Sequence, residues 1–454
     1  MFNKLENIIK SFEIKGLYSE RNVRIDFEDN IKIIVAENGY GKTTILNVLY
    51  TVLSGNLNKL QEVDFKSIHI TFFDDEKVSI RKSNLSYFLL VSKYGIKESN
   101  LHGFISDKYF KNDVYSENKK SESDLNVLRK QLLKYNDIIK NKILEGDIYE
   151  NEVFLKKIEN NYFKNKGLSV SEIRDSMDRI KIKFPYKIVY LPTYRRVEHN
   201  LKEISGNDFD KIDSDNLIKF GMEDVNKIFK DITDEIITSS IEWFSKVNGQ
   251  MLSQLVTGIK INRKIISSIE NPEAIRIVLD RIGDNIKEDS KQEILRLVES
   301  KEIFQGHDQL IYFISNLVEV YQKQRSNDKA IQDFSEVCNK YLVDKKIHYN
   351  ESKVTISIVR RKNKREVNIE NLSSGEKQII SLFARLYLKK ENNLAIFYDE
   401  PELSLSMEWQ KKLLPDIINS GKCAFMFVTT HSPFIFENEL ISNTVDLGTY
   451  IEEL

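Results

Sequence analysis

Residues 36–44 read AENGYGKTT and carry the parts of a phosphate cradle. Such a cradle needs backbone N–H groups converging on an anion, glycines where the chain must come close, and a helix start behind them. Gly39 and Gly41 allow the close approach, Lys42 can reach β- and γ-phosphates, and the Thr43 hydroxyl can ligate Mg2+. The stretch departs from G-x-x-x-x-G-K-[ST] at its first position, where Ala36 stands in place of the glycine that opens the turn. Taken alone, the loop fits a nucleotide site or a lookalike.

Three further stretches carry chemistry. In LAIFYDEPELSLS, residues 394–406, an apolar run delivers two adjacent carboxylates, Asp399 and Glu400, where α/β sheets place ligands. Asp399 can hold Mg2+ and Glu400 can orient and deprotonate a water; alternation along the strand would keep the pair from competing for one ion. In NLSSGEKQIISLFARLYL, residues 371–388, Ser373 and Ser374 are good helix caps and Gly375 lets a backbone come close. A serine-rich helix start can bind an anion, though most such caps only finish a helix. In FMFVTTHSPFIFEN, residues 425–438, a second apolar run ends at His431, 31 residues after Glu400. A lone histidine is usually structural; this one lies at the mouth of a neighbouring strand.

Together, AENGYGKTT, LSSGEKQ, YDEPELSLS and TTHSPF follow the order of the Walker A, signature, Walker B with D-loop, and switch-histidine motifs. The chain thus resembles the ABC-type ATPases of the RecF/SMC-like and OLD-like branch. That resemblance covers roughly residues 1–90, 187–200 and 350–445, and Ala36 becomes a tolerated substitution in a nucleotide site. It implies ATP and Mg2+ as cofactors. Asn38, Gly39, Tyr40, Gly41, Lys42, Thr43 and Thr44 would form the phosphate loop, and Thr43 and Asp399 the metal site. Glu400 and His431 would be catalytic. Ser373, Ser374, Gly375 and Glu376 would reach the γ-phosphate held by a second copy, so the resemblance implies a head-to-tail dimer closed by ATP. The Q-loop glutamine has no clear counterpart. Arg195 and Arg196, in YLPTYRRVE, could contact phosphate or pair with acidic surface residues.

These residues need strands and helix starts to position them. SFEIKGLY and NVRIDFE alternate apolar and polar residues around the turn SERN, and IKIIVA reads as a buried strand. A helix is predicted from Thr44 to Leu53, then strands SIHITFF and KVSIRKS around DDE. KIVYLP returns as a buried strand. LAIFYDE and CAFMFVTT are the continuous apolar runs of a parallel sheet buried on both faces. VTISIVRRKNKREVNIENL reads as a hairpin with a basic tip. Lys108 to Phe184 and residues 216–342 read as helical. Leu125, Leu128, Leu132, Tyr135 and Ile139 form a short amphipathic seam, and a break near QRSND is possible in the stretch from Leu310 to Cys338. The expected fold class is therefore α/β: an ABC-type ATPase head of mixed N-terminal strands and a parallel P-loop sheet, interrupted by a mostly helical insertion. The expected boundaries are 1–95, 96–186, 187–200, 201–345 and 346–454.

Composition limits the function classes. The 68 basic and 69 acidic residues balance to −1, so no global basic field points to nucleic acid. Cys338 and Cys423 have no metal-ligand spacing, and no apolar window approaches a membrane span, so a cytoplasmic protein is expected. DEPELSLSMEWQ with TTHSPF is similar to OLD-like and defence-associated ATPases, the PARIS-type sensor first and the Septu type next. With 23 residues after His431, no TOPRIM domain is expected in the chain. The partner would be a separate effector, such as a TOPRIM or HNH nuclease, with self-assembly through the insertion. The alternative is a DNA-repair or DNA-maintenance ATPase of the RecF/SMC-like type, with DNA as partner. Its basic surface would centre on Arg360, Arg361, Lys362, Lys364 and Arg365, which also fit a solvated turn. A transporter subunit fits poorly, because 327 residues separate Thr44 from Leu372.

Overall fold

Apolar periodicity decides the two main sheets. In β1 (Ile9–Leu17), β2 (Arg21–Asp26), β4 (Ser67–Phe72) and β5 (Lys77–Arg81), alternate residues such as Phe12, Ile14, Val23, Ile25, Ile68, Ile70, Val78 and Ile80 are buried. The half-polar period pairs these strands antiparallel, with one face on the core and one outward. The short strand β12 (Ile451–Glu453) joins β2 and completes the order β12-β2-β1-β4-β5. The computed structural model describes residues 7–37, 39–85, 88–89, 170–192, 222–258, 261–269 and 271–454.

The second sheet is wholly parallel, in the order β11-β3-β10-β9-β6. Its strands are β3 (Ile31–Val35), β6 (Lys187–Leu191), β9 (Leu394–Asp399), β10 (Cys423–Thr430) and β11 (Thr444–Asp446). All of β9 is buried, as is β10 beyond Cys423, because both faces are covered. One face, with Ile34, Phe397 and Phe427, packs on the antiparallel sheet, on helix α1 (Lys42–Ser54) and on α2 (Val170–Lys183). The other face presents Ile33, Ile396, Tyr398, Met426 and Val428 to the second core. That core takes residues from α3 (Met222–Thr257), α7 (Asp308–Asn339), α8 (Ser374–Phe383) and α9 (Met407–Asn419).

A third core lies in the helical segment, among α4 (Arg263–Ser268), α5 (Pro272–Ile282), α6 (Glu288–Glu299) and the start of α7. The region read as helical throughout is thus a series of helices separated by turns. The possible break at QRSND is absent: α7 runs unbroken for 32 residues, about 48 Å at 1.5 Å per residue. Its first half packs in the third core and its second half, through Ile331, Phe334 and Cys338, in the second. Tertiary contacts override the local turn preference. Within QRSND, the Arg281 guanidinium donates to Gln324 Oε1 at 2.9 Å and to Asp328 Oδ1 at 2.6 Å, and the Tyr349 hydroxyl also donates to Asp328. Gln324 donates in turn to the Ile236 carbonyl at 3.1 Å.

The basic hairpin also needs correction. The main partner of β8 (Thr355–Arg360) is the preceding β7 (Lys345–Asn350), and the expected return arm is one bridge, Val359 to Glu366. Two cations of the tip serve the fold. Arg360 pairs with Asp344 at 3.0 Å, and Arg361 donates to the carbonyls of Asn339, Leu342 and Lys345 around the end of α7. The helix read through Leu388 ends its α-helical course at Phe383 and closes in a π-turn, Ala384–Leu388. The seam at Leu125–Ile139, and Arg195 and Arg196, lie outside the described residues. No described helix is long and apolar enough to cross a membrane.

The Arg281–Asp328 pair is nearly buried, at 8% and 1% side-chain exposure. Asp328→Ala leaves the guanidinium without its charge partner and should cost about 3–5 kcal/mol. A urea titration followed by circular dichroism checks this; an unchanged midpoint would mean the pair is not what joins the third core to α7.

Candidate functional site

Three strand ends build the site. In the parallel sheet β10 lies between β3 and β9, with Thr430 opposite Val35 and Thr429 opposite Asp399. The loop after β3, the acidic turn after β9 and His431 after β10 therefore emerge side by side at the carboxyl edge, the usual ligand face of such sheets.

The loop after β3 has the backbone that its glycines permit. Gly39 and Gly41 take φ of 91° and 82°, in the left-handed region, and a Cβ on either would meet nothing within 4 Å. Conformation, not space, demands glycine there. Gly41 caps α1 without a side-chain bond, and the first turn holds no acidic residue, so the N–H groups of the helix start are available to an anion. Ala36 is buried, its methyl packed in the core beneath the loop. Lys42 is 6% exposed and donates to the carbonyls of Ala36 at 2.6 Å and Glu37 at 3.0 Å. Burial pushes its ammonium below the usual lysine range, opposed by Glu400, Asp399 and Glu402. Tyr40 and Thr44 flank this core of the loop; Tyr40 is exposed and its carbonyl lies 3.5 Å from the Arg21 guanidinium. Asn38 lies outside the described residues.

Asp399 is 1% exposed and held from two sides. It accepts from the Thr43 hydroxyl at 3.0 Å and from the Thr429 hydroxyl at 2.7 Å. This pair of adjacent hard oxygens, Thr43 and Asp399, fits Mg2+, which takes few protein ligands and completes its shell with phosphate and water. Glu400 departs from the strand alternation expected for it. The strand stops at Asp399, and Glu400 turns to φ 49°, with its N–H on the Thr429 carbonyl at 2.8 Å. The carboxylates have separate partners because the chain turns between them. Burial raises the Glu400 pKa above the ordinary carboxylate value, and Asp399 and Glu402 add to the rise; His431 and Lys42 oppose it. Such a carboxyl binds protons more readily than one in water, as a general base requires.

His431 stands between Lys42 and Glu400. Its Nδ1 is 3.3 Å from Lys42 Nζ and its Nε2 is 3.7 Å from Glu400 Oε1. An ammonium only donates, so Nδ1 accepts in this contact and the ring proton sits on Nε2, facing Glu400. Glu402, which the motif reading passed over, accepts from the Thr430 hydroxyl and from the His431 N–H, each at 2.7 Å. The available signal was a third carboxylate three residues past Asp399, set off by Pro401.

The signature stretch folds as the cap of α8. The Ser373 hydroxyl accepts from the Glu376 N–H at 3.3 Å, and the Glu376 carboxylate accepts from the Ser373 N–H at 2.9 Å. Lys345 donates to Glu376 at 2.9 Å, so this carboxylate is committed to holding the cap. Ser373 and Ser374 remain exposed. Among the described residues, no hydrogen bond joins Ser373, Ser374, Gly375 or Glu376 to Lys42, Thr43, Glu400 or His431. The backbone that Gly375 lets approach is internal: a Cβ there would lie 2.3 Å from the Ser404 carbonyl oxygen.

The glycines should respond differently to substitution. Gly41→Ala meets open space but a left-handed backbone, a cost of about 1–2 kcal/mol. Gly375→Ala must displace the Ser404 backbone, about 1–3 kcal/mol as for overpacked cores. Thermal unfolding of both variants checks this; a Gly375→Ala protein with native melting would contradict the close approach.

Comparison with known proteins gives one family and a set of distant solved structures. No curated protein matches the chain. The structure described as the Smc head domain with an extended coiled coil bound to the C-terminal domain of ScpA, from Pyrococcus furiosus, is 14% identical. The match covers 98% of this chain and 96% of that one, with a TM-score of 0.37. The SmcHead bound to the C-winged helix domain of ScpA is 13% identical, covering 98% and 97%, with a TM-score of 0.34. The AAA ATPase domain family matches residues 8–436, from the first strand to beyond His431. A match of that extent takes in every strand end and helix start of the site, and the protein belongs to the AAA ATPase domain family.

Proposed function

We propose that the chain is an ATP-hydrolysing switch of the ABC type, in the RecF/SMC-like and OLD-like branch. The observation that carries this reading is the convergence of Lys42, Thr43, Asp399, Glu400 and His431 at one sheet edge, before an uncapped helix start. Lys42 would turn from the Ala36 and Glu37 carbonyls to the β- and γ-phosphates of ATP. Thr43 and Asp399 would hold Mg2+, which when bound neutralises charge on the phosphate oxygens. Glu400 would orient the attacking water and take its proton, and His431 would keep Glu400 and Lys42 in register across the γ-phosphate.

One chain supplies half of each composite site. Among the described residues, the α8 start, with exposed Ser373 and Ser374 on a capped helix, makes no hydrogen bond to Lys42, Thr43, Glu400 or His431 of its own chain. The Ser374 hydroxyl and the N–H groups of Ser374 and Gly375, which lie outside the capping box, suit the γ-phosphate held by a second copy, so ATP would close a head-to-tail dimer and hydrolysis would reopen it. Motif similarity supports a PARIS-type sensor ATPase of a bacterial antiphage system, with the Septu type next. In that reading the switch acts in the cytoplasm and controls a separately encoded effector, such as a TOPRIM or HNH nuclease. The helical segment would serve further assembly or effector docking.

Glu400→Gln should bind ATP within about twofold of the native affinity while losing at least about 100-fold in kcat, the usual worth of a general base. Sedimentation should show it as a dimer with ATP and a monomer without. Hydrolysis at the native rate would remove Glu400 from the base role, and a strict monomer with ATP would remove the shared site. Lys42→Ala should lose nucleotide binding, seen by isothermal titration. Mixing Lys42→Ala with Ser374→Arg subunits should restore part of the ATPase activity, because one site per mixed pair is then intact; no recovery would favour sites built within one chain.

A further inference from the structure

We propose that Glu402 is the positioning residue that sets His431 between Lys42 and Glu400. The inference rests on the ATPase reading above and adds a residue that reading does not use. Both carboxylate oxygens of Glu402 are engaged on the turn after β10: Oε1 accepts from the His431 N–H and Oε2 from the Thr430 hydroxyl, each at 2.7 Å. Bonds to an ionised acceptor are shorter and stronger than neutral ones, so this is a firm two-point clamp.

A closed ring of contacts holds the clamp. The Ser432 N–H donates to the Thr430 hydroxyl oxygen at 3.0 Å, and the Ser432 hydroxyl donates to Gln410 Oε1 at 2.5 Å. Gln410 Nε2 returns to the Glu402 carbonyl at 3.3 Å and also reaches the Leu405 carbonyl at 3.0 Å. The backbone of His431 is therefore fixed on both sides, at Thr430 and at Ser432. Its imidazole can then reach Lys42 at 3.3 Å and Glu400 at 3.7 Å.

Simple strand joining does not account for the arrangement. β9 and β10 are already paired as far as Thr429 and Asp399, and the Glu400 N–H continues the ladder to the Thr429 carbonyl at 2.8 Å. Glu402 acts beyond that last bond, on the two residues that carry the histidine. Among the described residues its carboxylate makes no hydrogen bond to Lys42, Thr43 or Glu400; it acts on Lys42 and Glu400 only through its charge, whereas both of its hydrogen bonds hold Thr430 and His431.

The test is a double-mutant cycle on the full chain, with steady-state ATP hydrolysis and nucleotide binding as readouts. Glu402→Gln keeps an acceptor for the His431 N–H but turns an amide toward the Thr430 hydroxyl, and should lower kcat about tenfold or more with KM for ATP within about twofold. Glu402→Ala should lower it further. Combined with His431→Ala, Glu402→Gln should add no more than about twofold to the loss of His431→Ala alone. Thr430→Val, which removes one arm of the clamp and leaves Glu402 in place, should reproduce the kcat loss and serves if the Glu402 variants do not fold. An unchanged kcat, a KM rise that accounts for the loss, or fully additive losses in the double variant overturns the inference. A wild-type chain without ATPase activity overturns the functional reading and this inference with it; an active wild type with an insensitive Glu402 overturns this inference alone.

Discussion

The site is organised around one buried carboxylate. Asp399 is withdrawn from water at the end of β9, and a lone carboxylate there would be costly unless hydrogen-bonded. Thr43 from the helix after β3 and Thr429 from the adjoining strand supply the donors. These two bonds tie the phosphate loop to the acidic turn, and the parallel register between Thr429 and Asp399 brings His431 alongside. Moving any one of the three strand ends by a residue would reverse the face of its side chains and separate the groups.

The turn after Asp399 stores backbone strain. Glu400 and Ser404 both take left-handed φ, at 49° and 66°, which non-glycine residues rarely adopt. Surrounding contacts hold the shape: the Glu400 N–H is on Thr429, Gln410 reaches the Glu402 and Leu405 carbonyls, and Gly375 leaves room for the Ser404 carbonyl. The signature helix is therefore seated on the turn that presents Glu400. Gln378 strengthens that seat, donating to the Tyr398 hydroxyl at 2.8 Å and approaching the Pro401 carbonyl at 3.4 Å. A displacement of the α8 start would be felt at Glu400 through packed atoms rather than through a flexible linker.

The long helix α7 gives the same rigidity a longer reach. Its second half shares a core with Ile396 and Met426 of the central strands, and its first half shares one with α4, α5 and α6. Between the two, Arg281, Gln324, Asp328 and Tyr349 form a buried polar joint. A continuous helix crossing two cores carries motion from one to the other more directly than two helices joined by a turn.

Much of this was legible in the chain before folding. Gly39 and Gly41 announce a loop of close backbone approach, LAIFYDE and CAFMFVTT announce strands buried on both faces, and Ser373 and Ser374 announce a helix start, because each signal is local. The strand β7, with only Ile347 fully buried, and the three-residue strands β11 and β12 offered too little periodicity to be read. Tertiary structure alone decided the partners of the polar side chains. Thr43 meets Asp399 across 356 positions, Glu402 meets His431 across the gap between two strands, and Gly375 meets the Ser404 carbonyl. It also kept α7 whole through QRSND, where the local residues favour a turn and Arg281 supplies the missing partner. The amino-acid sequence by itself determined which groups could do the chemistry; which of them touch was decided by strand register and core packing, since hydrogen bonds between distant residues leave no periodic trace along the chain.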